Sequence, residues 1–249
     1  QTATPAPSAS VSATLLKVGD RGEEVRKMQQ TLVALNYLNA ADGVYGINTY
    51  NAVRNFQSRN GLTSDGIAGK MTLNRLFSQN AVGAETVVTK PTTTPGTSGT
   101  VGFTPPKASE VRYANWFSEI RSRARAMPDV IIYDPVSGLS YNLHMFSFGK
   151  HVDCEPPTAA DTEIMYRVCG ENKWTAKFVW VVFSDGRVYI ASTHSHGHEV
   201  DHTSGNNLTG HICLHFPRIM EEAEQTGPYA VSHQKEILLG WEITQAMIR

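Results

Sequence analysis

Residues 79–107 divide this chain of 249 residues and limit what it can fold into. They run through T-K-P-T-T-T-P-G-T-S-G-T and then T-P-P-K with almost no large apolar side chain. Thr, Pro and Gly in that proportion bury too little surface to offset the ordering of a backbone, so an extended, mobile linker is expected. Folding is then confined to either side of it, and the remaining length suffices for two modest domains with separate cores. Residues 1–14, Q-T-A-T-P-A-P-S-A-S-V-S-A-T, are small, polar and Pro-containing, without an initiator Met. They are expected to be the disordered start of a mature, secreted protein whose signal peptide has been removed.

On the N-terminal side, residues 15–78 carry helical periodicity twice interrupted by a similar turn. Val25, Met28, Leu32 and Leu35 recur at three- and four-residue steps, and Asn36-Tyr37-Leu38 ends that helix. The turn D-G-V-Y-G-I-N-T leads into a second helix with Ala52, Val53 and Phe56 inward. A second copy, D-G-I-A-G-K-M-T, leads into a third with Leu73 and Leu76. Each copy supplies Gly where a positive φ is needed, and Thr49 or Thr72 as a candidate helix N-cap. The expectation is a small three-helix domain built on a duplicated turn-helix element.

L-K-V-G-D-R-G-E-E-V-R-K-M-Q-Q-T-L, D-G-V-Y-G-I-N-T-Y-N-A-V-R-N-F-Q and G-L-T-S-D-G-I-A-G-K-M-T together closely resemble the bacterial peptidoglycan-binding domain type 1. The resemblance covers essentially all of 15–78 and implies a non-catalytic module that brings an attached enzyme to the cell wall, with peptidoglycan as the partner. Tyr45, Asn48 and Tyr50, beside the first turn, are candidate substrate contacts, and the same residues also suit a turn-stabilising role. A formal net charge of −1 gives no footprint for nucleic acid. No apolar run approaches the ~20 residues of a membrane-spanning helix.

The second domain, 108–249, mixes helical and alternating patterns. Ser109 is a candidate cap for a helix carrying Val111, Trp116, Ile120 and Ala124, ending before Pro128. V-I-I-Y-D-P-V-S-G-L-S-Y-N-L-H and F-V-W-V-V-F-S-D-G-R-V-Y-I-A-S read as β-hairpins. Gly149 to Glu155 reads as a strand with His151, Asp153 and Glu155 on one face, and helices follow near 159–168 and from about Val231. Strands and helices interleave without a βαβ rhythm, so the fold class is α+β with a mainly antiparallel β core and flanking helices.

Thr193 to Phe216 holds six of the nine histidines (His194, His196, His198, His202, His211, His215) and Cys213. In His211-Ile212-Cys213-Leu214-His215 the alternation puts His211, Cys213 and His215 on one face of a strand. Imidazole and thiol are the side chains most readily made base, nucleophile or metal ligand near neutral pH. Cys154 and Cys169 are either core thiols or a disulfide pair that leaves Cys213 free.

Two chemistries suit the cluster. In the first, Cys213 is an acyl-transfer nucleophile activated by a nearby His, with N–H groups around Gly210–Cys213 stabilising the oxyanion and no cofactor. H-G-H followed some fifteen residues later by G-H-I-C-L-H-F resembles the L,D-transpeptidase motif pair. By that resemblance Cys213 is the nucleophile, His211 the His preceding it, and His198 or His196 the activating His. Gly210, Ile212 and His215 depart from the family's Ser/Thr, Gly and Arg. In the second, zinc is held by His151 and Asp153 with His211 or His215, leaving an open position for water. Such a set resembles the wall-lytic zinc peptidases and amidases, although the His–Asp spacing here is shorter. A third reading, favoured by Gly210 and Ile212, is a catalytically inactive wall-binding protein.

Overall fold

A computed structural model describes residues 15–84 and 103–248. The expectations made for 1–14, and for the greater part of the linker, lie outside the described residues. The chain divides into two compact units at Thr92/Thr93.

The first unit holds three helices, α1 (Glu23–Ala34), α2 (Ile47–Arg59) and α3 (Lys70–Leu76). Val25, Met28, Leu32, Val53, Phe56, Leu73 and Leu76 form its core. α1 stops at Asn36, which takes a left-handed φ of 64°. Thr49 and Thr72 are not N-caps: Gly46 and Gly69 occupy those positions without a side-chain cap. The threonines serve a clamp instead. Buried Gln29 donates through Nε2 to Asp42 Oδ1, the Val44 carbonyl and Thr49 Oγ1 at 2.7, 2.9 and 2.8 Å, while its Oε1 accepts from Gly43 N–H at 2.7 Å. Gln57 repeats the pattern on Asp65, Ile67 and Thr72 at 2.8, 3.0 and 3.0 Å, and accepts from Gly66 N–H at 2.8 Å. One carboxamide therefore saturates each turn's inward-facing polar groups, which burial would otherwise leave costly.

The second unit is a closed antiparallel barrel. Its strands are β2 (Asp129–Tyr133), β3 (Ser140–Phe148), β4 (Val152–Glu155), β5 (Lys177–Phe183), β6 (Val188–Thr193) and β7 (Ile212–His215), preceded by a two-residue β1 (Val111–Arg112). The order runs β1-β6-β5-β2-β3-β4-β7, and β7 returns to pair with β6. β1 is the exception to the antiparallel pattern, adding to β6 in parallel. Alternate residues face inward: Val130, Ile132, Leu143, Met145, Val152, Cys154, Val179, Val181, Ala191, Ile212 and Leu214 share one core. That core is capped by Trp116, Ile120 and Ala124 and by Ile164 and Met165 of helix α5 (Ala159–Cys169).

The helix expected from Ser109 is broken up. A 3₁₀ turn, Ala108–Glu110, leads into β1, and helix begins only at a π-turn, Trp116–Ile120, continuing as α4 (Arg121–Ala126). Asn115 caps it, its side chain accepting from the N–H groups of Phe117 and Ser118. Val111, expected on the same helix as Trp116, pairs instead with Val188 of β6. After β7 come α6 (Met220–Thr226) and the long α7 (Pro228–Ala246), whose Ile237 packs on the outward residues Trp180, Val188 and Ile190.

Replacing Gln57 by Ala strands the buried groups of the second turn. A loss on the order of 3 kcal/mol is expected, read as a lower melting temperature for the first unit by calorimetry; an unchanged transition contradicts the clamp.

Candidate active site

The histidine-rich stretch lies on the outer wall of the barrel, where β4, β7 and β6 meet. With Ile212 and Leu214 turned inward, His211, Cys213 and His215 share the outward face. Cys213 is the register partner of Asp153 on β4, and His215 that of Ser192 on β6. His151, two residues before Asp153, contacts its carboxylate at 3.0 Å. The loop between β6 and β7 folds back so that His198 and His211 exchange backbone hydrogen bonds of 3.0 and 2.9 Å. Buried Glu155 helps anchor that loop by accepting from His202 N–H at 2.9 Å.

Gly210 makes the close approach possible. Its φ is +75°, and a Cβ there would lie 2.3 Å from the His198 carbonyl oxygen. The departure from Ser or Thr at this position is thus a requirement of the local backbone and gives no support to an inactive domain.

These elements enclose a cavity of about 690 Å³ lined by His151, Asp153, Trp174, His198, Glu199, His211, Cys213 and Tyr229. His198 Nε2 stands 3.3 Å from Cys213 Sγ. Burial, then the negative charges of Asp153 and Glu199, push the Cys213 thiol up to about 12. Burial, then the neighbouring His211, lower the pKa of His198 below the ordinary imidazole value. The resting pair is accordingly a protonated thiol facing a neutral imidazole. His211 Nδ1 lies 3.1 Å from the Val200 carbonyl, which only accepts, so this nitrogen carries the proton.

Two of the amides assigned to an oxyanion hole are already engaged. His211 N–H donates to the His198 carbonyl, and Cys213 N–H donates to His194 Nε2 at 3.1 Å. Strand pairing and the β6–β7 loop consume them.

Of the zinc donors expected from the sequence, His151 and Asp153 come together and His211 Nε2 lies 3.9 Å from Asp153 Oδ1, but His215 does not join them. His151 and Asp153 converge with Cys213, all ligand atoms lying within 4.8 Å of one another, whereas His215 turns toward α7. Its ring stacks on His233 at 4.0 Å and on His151 at 5.0 Å. Cys154 and Cys169 are free thiols, Cys154 sitting in the barrel core.

Trp174, Tyr229 and His194 were not assigned roles from the sequence. Trp174 stacks on His196 and His198 at 4.3 and 5.2 Å and meets Tyr229 edge-on at 5.3 Å. No local pattern marks either residue, since one lies on the loop after α5 and the other at the start of α7. His194, fully buried, belongs to the conspicuous histidine run, but the run alone does not distinguish it from its neighbours.

In the first unit, Tyr45 is buried with its hydroxyl donating to the Gly66 carbonyl at 2.8 Å, and the Tyr50 ring is buried beneath Gly66. Both belong to the turn scaffold and offer a ligand no face. Asn48 is exposed.

Residues 21–76 match the family model described as a putative peptidoglycan binding domain. A spore cortex-lytic enzyme of Bacillus cereus is 37% identical over 86 residues, which is 34% of this chain and 33% of that protein. A spore cortex-lytic enzyme of Oceanobacillus iheyensis is 41% identical over 63 residues, 25% of this chain and 23% of the relative. The chain thus spans about a third or less of these relatives' length. The crystal structure of the SleB N-terminal domain is 40% identical, with 27% of this chain and 93% of that one covered and a TM-score of 0.26. Among the described residues, no helix is long and apolar enough to cross a membrane.

The buried imidazoles make stability depend on pH. Desolvation, then the neighbouring histidines, hold His194 down to about 2; desolvation, then His151, hold His233 down to about 3; His215 is also held well below its ordinary value by burial. Their folded pKa values lie below those of the unfolded chain, so the unfolded state gains protons first as pH falls. Stability is therefore complete above about pH 6.5 and is lost below it, at up to ~1.4 kcal/mol per pH unit per histidine, or about 4 for the three. The urea midpoint of the second unit is expected to fall steeply below about pH 6.5, and less steeply in His233→Phe. A midpoint indifferent to that change refutes the assignment.

Proposed function

We propose that this chain is a secreted, wall-directed enzyme in which Cys213 performs L,D-transpeptidase-like acyl transfer on peptidoglycan stem peptides. The observation that carries the reading is the 3.3 Å approach of His198 Nε2 to Cys213 Sγ at the floor of an open cavity. The module matched at residues 21–76 supports peptidoglycan as the polymer addressed. The relatives' printed name, spore cortex-lytic enzyme, supports action on a wall polymer.

With a protonated thiol and a neutral base, the chemistry is general-base catalysis rather than attack by a preformed thiolate–imidazolium pair. As sulfur bonds to the peptide carbonyl carbon, the thiol proton passes to His198 Nε2. The C–N bond then breaks, and the leaving amine takes that proton, giving a thioester on Cys213. An acceptor amine, or water, is deprotonated by the same imidazole as it attacks the thioester, and the proton returns to sulfur. Glu199, its carboxylate 4.0 Å from His198 Nδ1, favours the imidazolium at the transition state by charge, at a distance too long for a hydrogen bond.

Cys213→Ala is expected to abolish turnover of purified muropeptides, and His198→Ala to lower kcat by about 10²–10⁴-fold, both followed by chromatography of the products. Because the pKa of His198 is lowered, the base remains competent as pH falls through the ordinary imidazole range, so the acid limb of kcat/KM should lie below about 6.5. Full activity in Cys213→Ala sinks the reading.

A further inference from the structure

The same cavity contains a second arrangement. Asp153 and Cys213 are directly opposed across the β4–β7 ladder, and His151 precedes Asp153 by two residues, so all three side chains leave the barrel on one face. Their ligand atoms lie within 4.8 Å of one another. The His151–Asp153 contact is 3.0 Å and the His198–Cys213 contact 3.3 Å. A tetrahedral zinc ion with bonds of about 2.0–2.3 Å needs ligand–ligand edges of roughly 3.3–3.7 Å, so the His151–Asp153 edge is near that length before any cation arrives. The strands supplying Asp153 and Cys213 are fixed by the closed barrel, and His151 lies one residue before β4, which reduces the cost of preorganising the donors.

Donor chemistry narrows the cation. Thiol sulfur with imidazole nitrogen and a single carboxylate suits a thiophilic ion of the zinc class over magnesium or calcium, which take oxygen. Among the described residues, the cavity lining contains two carboxylates and neither lysine nor arginine, a balance that favours a dication. The 690 Å³ opening supplies an entry path. His194, His198 and Cys213 also converge, but the His194 Nε2 lone pair already accepts from Cys213 N–H.

We propose that Cys213, His151 and Asp153, with the fourth position left to water, form a zinc-class cation site whose occupation silences the thiol. This rests on the reading of Cys213 as the acyl-transfer nucleophile and assigns that site a regulation. On binding, the S–H bond is lost, the proton leaves to solvent, and the sulfur lone pair bonds the cation. Sulfur so engaged no longer attacks a carbonyl, and a chelator returns it.

The test uses the full chain, freed of metal, with zinc chloride and iodoacetamide. One zinc per chain is expected by calorimetry, with alkylation of Cys213, located by peptide mass, slowed at least about tenfold and restored by EDTA. In Asp153→Asn, which removes a direct ligand, zinc should bind more weakly by at least the roughly tenfold typical of losing even an outer-shell partner; the readout is the ratio of alkylation rates without and with zinc, so the variant's own basal rate does not enter. Cobalt(II) in place of zinc should give thiolate charge-transfer absorption that is absent from Cys213→Ala. Alkylation indifferent to zinc in the wild type, or Asp153→Asn protected as fully as wild type, overturns the site. Zinc-blocked alkylation in a metal-free protein that transfers no acyl group upholds the cation site and refutes the enzymatic reading alone. Acyl transfer that requires added zinc upholds the site as a place of binding and overturns its silencing role.

Discussion

Strand β7 has four residues and is hydrogen-bonded on both edges, to β4 through Asp153↔Cys213 and to β6 through Ser192↔His215. Those two ladders close the barrel, and closure fixes which side chains leave it. Ile212 and Leu214 are held in the core, so Cys213 and His215 must point out, the thiol opposite Asp153. A slip of one residue would bury the thiol and expose the leucine, and the register is therefore maintained by the same apolar contacts that hold the barrel together. The loop from β6 then needs only one close approach, at Gly210, to set His198 against the sulfur.

Burial around that contact keeps the imidazoles neutral. His194 Nδ1, both ring nitrogens of His215 and His233 Nε2 are buried without a hydrogen-bond partner, a costly state that protonation would worsen. Stacking compensates in part: His215 lies flat on His233, and Tyr229 meets both rings edge-on. A wall of neutral rings behind the thiol and two carboxylates in front of it supply no positive charge to stabilise a thiolate. The sulfur is left with two ways to lose its proton, to the neutral base at 3.3 Å or to solvent in exchange for a cation.

The fold was legible wherever its determinants were local. Both long hairpins follow from alternating apolar residues around Asp134–Gly138 and Asp185-Gly186, because a two-residue period and a turn suffice to specify them. The antiparallel, α+β character followed from the same stretches. Closure was not legible, since it depends on four-residue strands meeting across some sixty positions, β4 with β7. In the first unit the duplicated turn was plain, but Gln29 and Gln57 were not: each occupies a core-facing helical position where a polar residue has no apolar pattern to betray it. Their absence from the reading is what turned Thr49 and Thr72 into apparent caps.

The site divides along the same line. His211, Cys213 and His215 were placed correctly on one face because strand periodicity demands it; the strand expected from Gly149 begins only at Val152, and His151 reaches Asp153 from the bend before it. What periodicity does not supply is the angular position of a face around a closed barrel. Cys213 and His215 are two residues apart and point the same way, yet one opens onto the cavity and the other lies under α7 against His233. The difference is made by a helix that begins at Pro228 and crosses β5 and β6 on its way past the site. That helix covers His215, whereas Cys213 stays open to His151 and Asp153, and His211 Nε2 stands 3.9 Å from the same carboxylate. A set inferred from spacing with His215 as its third member has Cys213 in that place in space, and the two proposed chemistries, general-base acyl transfer and cation binding, call on the same thiol.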